Sequence, residues 1–243
     1  MRYLIDFSYS GSGFNGYQKQ PKLRSVQSEI EKILSNINNG EVVIYAAGRT
    51  DCKVNALHQM AHFDLNVKNM TPYKLKGALN TFLPSDIHIN DVTLVEDDFH
   101  ARYMVKSKTY EYKINVGLYN PIEKDFIYQY CKNLNIKNMK KAIKFFKGTH
   151  DFTTFTSSED KRENKIRTID KVSIVKKKDI ITIRFTSKGF LKYQVRNMVG
   201  LLIKIGEDKL PFNIIPELLD KKDRRKASNT APAEGLTLID ICY

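Results

Sequence analysis

The residue types that could do chemistry gather in one short polar stretch. Gly48-Arg49-Thr50-Asp51 is a charged tetrad between two apolar segments. An acid two residues from an arginine, where a strand ends, can hold an ionised carboxylate in a partly dry site. The nearby guanidinium keeps the carboxyl pKa low despite burial. The plainer alternative is a turn with a surface ion pair, and for an isolated R-x-D it is the better account. Three quarters of the 40 basic residues are Lys, so each Arg carries more information. Arg49, Arg102, Arg167 and Arg196 each lie at a strand or helix edge, outside the Lys-rich stretches.

Other chemistries are weaker on inspection. Gly11-Ser12-Gly13-Phe14-Asn15-Gly16 matches the G-x-G-x-x-G fingerprint after a strand, but that mechanism needs a helix N-terminus opening inside the motif. Here Pro21 intervenes and the next helix begins only near Ser25, so a flexible turn is the better account. His58 and His62 are four apart on a strand, too wide for an easy metal site, and no histidine is spaced with carboxylates or cysteines as ligands. Cys52, Cys131 and Cys242 are odd in number and far apart, neither a disulfide framework nor a zinc cluster. Neither a Gly-x-Ser-x-Gly elbow nor a Walker loop occurs. No metal and no nucleotide cofactor is expected.

The elements that must position these residues follow from periodicity and caps. Arg2 to Ser8 alternates as a strand, and Ser25 N-caps an amphipathic helix (Val26, Ile30, Ile33, Leu34) that stops at Asn39-Gly40. Strands are predicted at Glu41 to Ala46 and Leu57 to Leu65, a Pro-initiated helix after Thr71, and a strand over Ile87 to Val95. The second half predicts a strand over Lys108 to Asn115, a helix over Asn138 to Lys147 and paired strands near 171–175 and 180–186. Helices over about 193–205 and 213–220 and a last strand over 236–241 complete it. The expected class is α+β: two ferredoxin-like (RRM-like) halves, 1–105 and 106–243, sharing a mixed, mainly antiparallel sheet with helices packed on one face. The first half carries the Asp loop; the second carries a tyrosine-bearing strand and an Arg-bearing helix.

Composition bounds the partners. In 243 residues, 42% hydrophobic with 11% aromatic supplies a real core and excludes a disordered polycation. The net charge of +13 points to a polyanion, most often nucleic acid, although Lys/Asn/Ile-rich usage also scatters solvated lysines for no functional reason. No apolar run approaches a membrane span, and an early acid at Asp6 excludes a secretory leader, so a reduced, soluble, cytoplasmic protein is expected.

The tetrad extends to Gly48-Arg49-Thr50-Asp51-x-x-Val54-x-Ala56, which resembles the catalytic signature of the tRNA pseudouridine synthase A family. The segment from Tyr9-Ser10-Gly11-Ser12 through Gly16-Tyr17-Gln18-x-Gln20 is similar to that family's N-terminal motif, which reinterprets the glycines. Gln59-x-Ala61-His62-Phe63, Phe99-His100-Ala101-Arg102, Lys108-Thr109-Tyr110-x-Tyr112, Gly148-x-His150-Asp151-Phe152 and Arg167-Thr168-Ile169 follow in order. Val195-Arg196-Asn197-Met198-Val199-Gly200 and Ala231-Pro232-x-x-Gly235-Leu236 complete the register across nearly the whole chain.

The resemblance implies an isomerase that turns uridine into pseudouridine in the anticodon stem-loop of tRNA, at uridines thirty-eight to forty, without any cofactor. It implies Asp51 as the catalytic carboxylate and Arg196 as its counter-charge. Tyr110 would stack on the flipped uracil, and Arg49 would take the vacated place in the RNA stack. Arg102 joins the substrate-binding residues. It also implies a homodimer with tRNA lying across both subunits. The sequence departs from the family pattern at Cys52-Lys53, Asn55 and Tyr17, which leaves a divergent paralogue acting on another RNA as an alternative. A non-catalytic RNA-binding protein would suit Tyr110 and Tyr112 on a basic strand but gives Arg49, Asp51 and Arg196 no shared purpose. Lys53 stands where glycine is more usual. Because a lysine in a left-handed conformation is costly, the expectation there is ordinary negative φ, with the side chain on the RNA backbone.

Overall fold

The computed structural model describes residues 1–243. By internal contacts the chain divides into two compact units: Met1–Lys106 with Leu238–Tyr243, and Ser107–Thr237. The C-terminal strand thus belongs largely with the first unit, where Lys106 donates its N–H to the Cys242 carbonyl (2.8 Å) and the Tyr243 phenol to Ala101 (2.7 Å).

The first unit runs β1 (Arg2–Tyr9), α1 (Val26–Asn38), β2 (Tyr45–Ala46), β3 (Asn55–Asp64), α2 (Pro72–Phe82) and β4 (Ile87–Val95). β1 lies between β3 and β4, antiparallel to both. Tyr3, Ile5, Phe7 and Tyr9 are buried while the alternate residues are half-buried, so one face carries the core. Ser25 and Ser28 cap α1 reciprocally, and Asn39 ends it in the left-handed region. Thr71 caps α2 through the Lys74 N–H, with Pro72 at its first position.

The strand expected over Glu41 to Ala46 shrinks to β2. Val42 and Ile44 are buried as the alternation required, but their N–H groups donate to Ser35 Oγ (3.0 Å) and Glu31 Oε1 (3.2 Å) on α1. Helix side chains satisfy the donors that a strand partner would otherwise take.

The second unit runs β5 (Ser107–Asn115), β6 (Tyr128–Gln129), α3 (Ile136–Ala142), β7 (Gly148–Asp151), β8 (Ile166–Lys177), β9 (Ile180–Ser187), α4 (Gln194–Gly206) and α5 (Ile215–Lys221). β10 (Leu236–Cys242) then returns to the first unit. β5, β9, β8 and β7 follow one another antiparallel, and β6 adds a short parallel pairing to β5, which makes the sheet mixed. β6 and β7 were not expected, being too short to show a period. α3 ends early in a 3-10 turn over Ile143–Phe146, where Phe146 meets Phe155 and Phe185 edge-on. α4 buries most of its circumference and packs against α3.

Candidate active site

The polar tetrad lies on the loop between β2 and β3, and the segment after β1 grips it. Tyr17 donates its N–H to the Thr50 carbonyl (3.2 Å), and the phenol of Tyr9 meets Thr50 Oγ1 (2.8 Å). Gln59 donates to the Gly48 carbonyl (3.0 Å), Cys52 Sγ to the Phe14 carbonyl (3.4 Å), and Gly11 N–H to Asn55 Oδ1 (2.7 Å). Burial pushes the Tyr9 phenol up to about 12, so it stays protonated.

Two glycines make this grip possible. A Cβ on Gly11 would lie 2.3 Å from the Val54 carbonyl oxygen, and Gly16 holds φ +95° with the Thr50 carbonyl 3.2 Å from where its Cβ would be. The apparent dinucleotide fingerprint is therefore a backbone clamp. It leaves Thr50 and Val54 buried, Asp51 half-buried, and Arg49, Cys52 and Lys53 exposed.

Lys53 corrects one expectation. Its φ is +64°, not negative. It is the third residue of a turn closed by the Val54 N–H on the Asp51 carbonyl (3.2 Å), and this turn carries the chain beneath Gly11. The close approach sets the conformation, and the lysine accepts a cost of about 1–2 kcal/mol.

Asn55, seen in the sequence only as a departure, is the buried acceptor that holds Gly11. His58 and His62 do not share a surroundings either. His58 is exposed and bonds Asp6 (2.8 Å), whereas His62 is buried against the rings of Tyr45, Phe99 and His100. His62 Nδ1 accepts the Ala101 N–H (3.1 Å), its ring stacks on Tyr45 and it meets His100 at 4.6 Å. Burial foremost, then the His100 neighbour, lowers its pKa to about 4, so the ring is neutral. Arg102 is exposed on the next turn, its own N–H donated to His100 Nδ1 (3.1 Å).

In the second unit, Tyr110 lies on β5 opposite Phe185, 8% exposed, with the Phe190 ring edge-on at 5.3 Å. Arg196, in the first turn of α4, is half-buried; its Nε donates to the Ala231 carbonyl (2.8 Å) and its guanidinium lies 5.1 Å from the Tyr193 ring. The Ala231 N–H returns to the Arg196 carbonyl (3.1 Å), and the Tyr112 phenol donates to the Pro232 carbonyl (2.8 Å). These bonds tie the segments around Tyr112, Arg196 and Ala231, far apart in sequence, to one another. Asn197 is structural: it donates to the Phe155 carbonyl and accepts from Arg224 and Thr230.

Arg49, Asp51, Lys53 and Arg102 thus belong to the first unit, and Tyr110 and Arg196 to the second. Sequence reasoning missed Phe190 and Tyr193, both from the loop between β9 and α4, which set an aromatic ring against Tyr110 and Arg196. The only signal was a Gly-Phe step after a strand.

The glycine segment of the first unit is thus a backbone clamp on an acidic loop and not a nucleotide-binding turn, and the second unit carries a strand tyrosine and a helix arginine. The family model described as tRNA pseudouridine synthase matches residues 7–104 and 142–243. Proteins named tRNA pseudouridine synthase A from Streptococcus pneumoniae, strain 70585 and serotype 4 strain ATCC BAA-334 / TIGR4, are 44% identical over 246 residues, covering 100% of this chain and 98% of theirs. A solved structure titled "Crystal Structure of a Cbf5-Nop10-Gar1 Complex" aligns with 81% of this chain and 46% of its own at a TM-score of 0.35 and 14% identity. The chain belongs to the tRNA pseudouridine synthase family, isomerases that convert uridine to pseudouridine.

Proposed function

We propose that the enzyme acts on the anticodon stem-loop of tRNA, at uridines thirty-eight to forty, with Asp51 as its catalytic carboxylate. The observation that carries this reading is the clamp: five hydrogen bonds and two glycine contacts fix the loop on which the half-buried Asp51 sits. Catalytic groups need such preorganisation, and a surface turn does not.

The reaction breaks the N1–C1′ bond, rotates the base and joins C5 to C1′; the C5 proton leaves and N1 gains one, so it is redox-neutral and consumes nothing. Asp51 supplies the carboxylate that attacks the nucleotide or takes a proton from the sugar. Tyr110 stacks on the flipped uracil and assists removal of the C5 proton, its ring held by Phe190. The family resemblance gives Arg196 the part of counter-charge to the carboxylate, and it gives Arg49, exposed two residues before Asp51, the part of filling the place of the flipped base. Arg102 and Lys53, both exposed, contact the RNA backbone.

The net charge of +13 suits a partner read mainly through its phosphates. In this reading the enzyme is a cytoplasmic homodimer with tRNA across both subunits. Exposed Leu118, Tyr119, Ile122 and Phe126 on one loop support self-association, and no helix is long and apolar enough to cross a membrane. The test is to incubate the protein with a tRNA transcript, without cofactor, and map pseudouridine. Product confined to the 3′ side of the anticodon stem-loop supports the reading; product in another RNA, but not there, would mark a paralogue of different scope.

A further inference from the structure

α3 and the 3-10 turn after it carry Lys137, Lys140, Lys141 and Lys144, spaced three and four apart and therefore along one side of the helix. All four are exposed, and none lies within ion-pair distance of a carboxylate. Other lysines, Lys32, Lys68, Lys74 and Lys132 among them, are also exposed without an ion-pair partner; what sets these four apart is that they share one side of a helix, with Lys141 also over the Phe212 ring at 4.8 Å. Asp208, the acid tied to α3, is bound by Asn135 and Asn138. The four lysines line an open groove with Val172 and Ile174 of β8. β7 pairs with β8 only from Ile166 to Ile169, so this stretch is a free sheet edge.

Two explanations compete for such lysines. Charges beside a free edge can deter strand-to-strand aggregation. Charges in a row can also track a polyanion. The row from Lys137 to Lys144 is about 10 Å long, close to the axial length of about three nucleotides of one strand. An edge needs only a charge or two, whereas four unneutralised ammonium groups on one side repel one another at a cost that a bound anion would relieve.

We propose that this groove binds the sugar–phosphate backbone of the same tRNA, away from the modified nucleotide, as an affinity site that takes no part in the chemistry. Val172 is in register with Phe185 and, through it, with Tyr110, two strand spacings or about 10 Å away, but the buried Phe185 lies between them, so the groove is a contact separate from the tyrosine. The proposal rests on the tRNA reading above and extends it to a second contact.

The test replaces all four residues in the full chain (K137Q, K140Q, K141Q, K144Q), glutamine being a good helix former. A control replaces four exposed lysines elsewhere (K32Q, K68Q, K74Q, K132Q). Binding of a tRNA transcript is measured across salt, with single-turnover pseudouridine formation at saturating RNA. The expected result is tenfold or more weaker binding, a salt slope shallower by about three, and an unchanged rate, with the control moving the slope by less than about one. Equal losses in the control would overturn the groove in favour of diffuse charge. Unchanged affinity with new aggregation would overturn it in favour of edge protection. Failure of the enzymatic reading looks different: wild-type protein that binds tRNA but forms no pseudouridine leaves the groove standing and removes the catalysis.

Discussion

The two units hold their chemistry in opposite ways. In the first, Asp51 rides on an irregular loop, and its position comes from another loop pressed against it through Gly11 and Gly16. In the second, Tyr110 is a residue of a regular strand and Arg196 a residue of a regular helix. A strand or helix places a side chain through its own hydrogen bonds. A loop must borrow its precision from contacts, and those contacts leave no room for a Cβ. The first unit should accordingly be brittle at positions that touch no substrate, and the second tolerant.

The largest effect tests the acid itself. Asp51→Asn removes the carboxylate with little change in volume, and turnover should fall by at least a thousandfold, about 4 kcal/mol of barrier, with tRNA affinity within a few fold. Residual turnover above that level, measured under single-turnover conditions, would mean that the clamp holds something other than the catalytic group.

Gly11→Ala tests the brittleness. Its Cβ would drive into the Val54 carbonyl, so a loss of about 2–3 kcal/mol in urea unfolding is expected, together with reduced turnover. Gly77→Ala, with nothing around its Cβ in the middle of α2, should instead stabilise by about 0.5–1 kcal/mol. Equal effects at the two sites would break the contrast between loop and helix.

His62 gives the first unit a pH signature. Its pKa is about 4 when folded and near 6.5 when unfolded, so the unfolded chain binds the extra proton between those values. Its contribution to stability is fully present above about pH 6.5 and is lost as pH falls toward 4, by about 1–3 kcal/mol after allowance for solvent screening. His62→Asn, which retains an acceptor for the Ala101 N–H, should flatten stability across that window in denaturant titrations. An unchanged acid slope would show that other groups cause it.

Two smaller effects concern residues that strain the clamp. Lys53→Gly should stabilise by about 1 kcal/mol, because glycine takes φ +64° without the Cβ penalty. The same variant should weaken tRNA binding slightly if the ammonium meets RNA. Tyr17→Phe should stabilise by up to about 1 kcal/mol, since the Tyr17 hydroxyl is buried without a hydrogen-bond partner. A destabilised Phe variant, read by its melting temperature, would mean the hydroxyl fills space that matters.

Much was legible in the sequence, and for local reasons. Ser25 and Thr71 start α1 and α2 because a side-chain oxygen satisfies an orphan N–H two or three residues on, and Asn39 ends α1 because asparagine tolerates positive φ. The alternation from Tyr3 to Tyr9 is a period-two signal that needs no partner to be read. The order of motifs was likewise enough to identify the family.

What only the tertiary structure decided is where donors and space come from at long range. Val42 and Ile44 alternate like a strand, yet their N–H groups go to Ser35 and Glu31, which lie on a helix no local pattern links to them. Lys53 was expected at negative φ because the cost of the alternative is local, whereas the demand for it arises at Gly11, far along the chain. Asn55, Phe190 and Tyr193 have ordinary sequence surroundings, and their roles exist only through the partners that folding brings to them. Caps, turns and alternation are energies of neighbouring residues, so the sequence displays them. Close approach and exchanged hydrogen bonds are energies between distant segments, so they are settled only when the chain has folded.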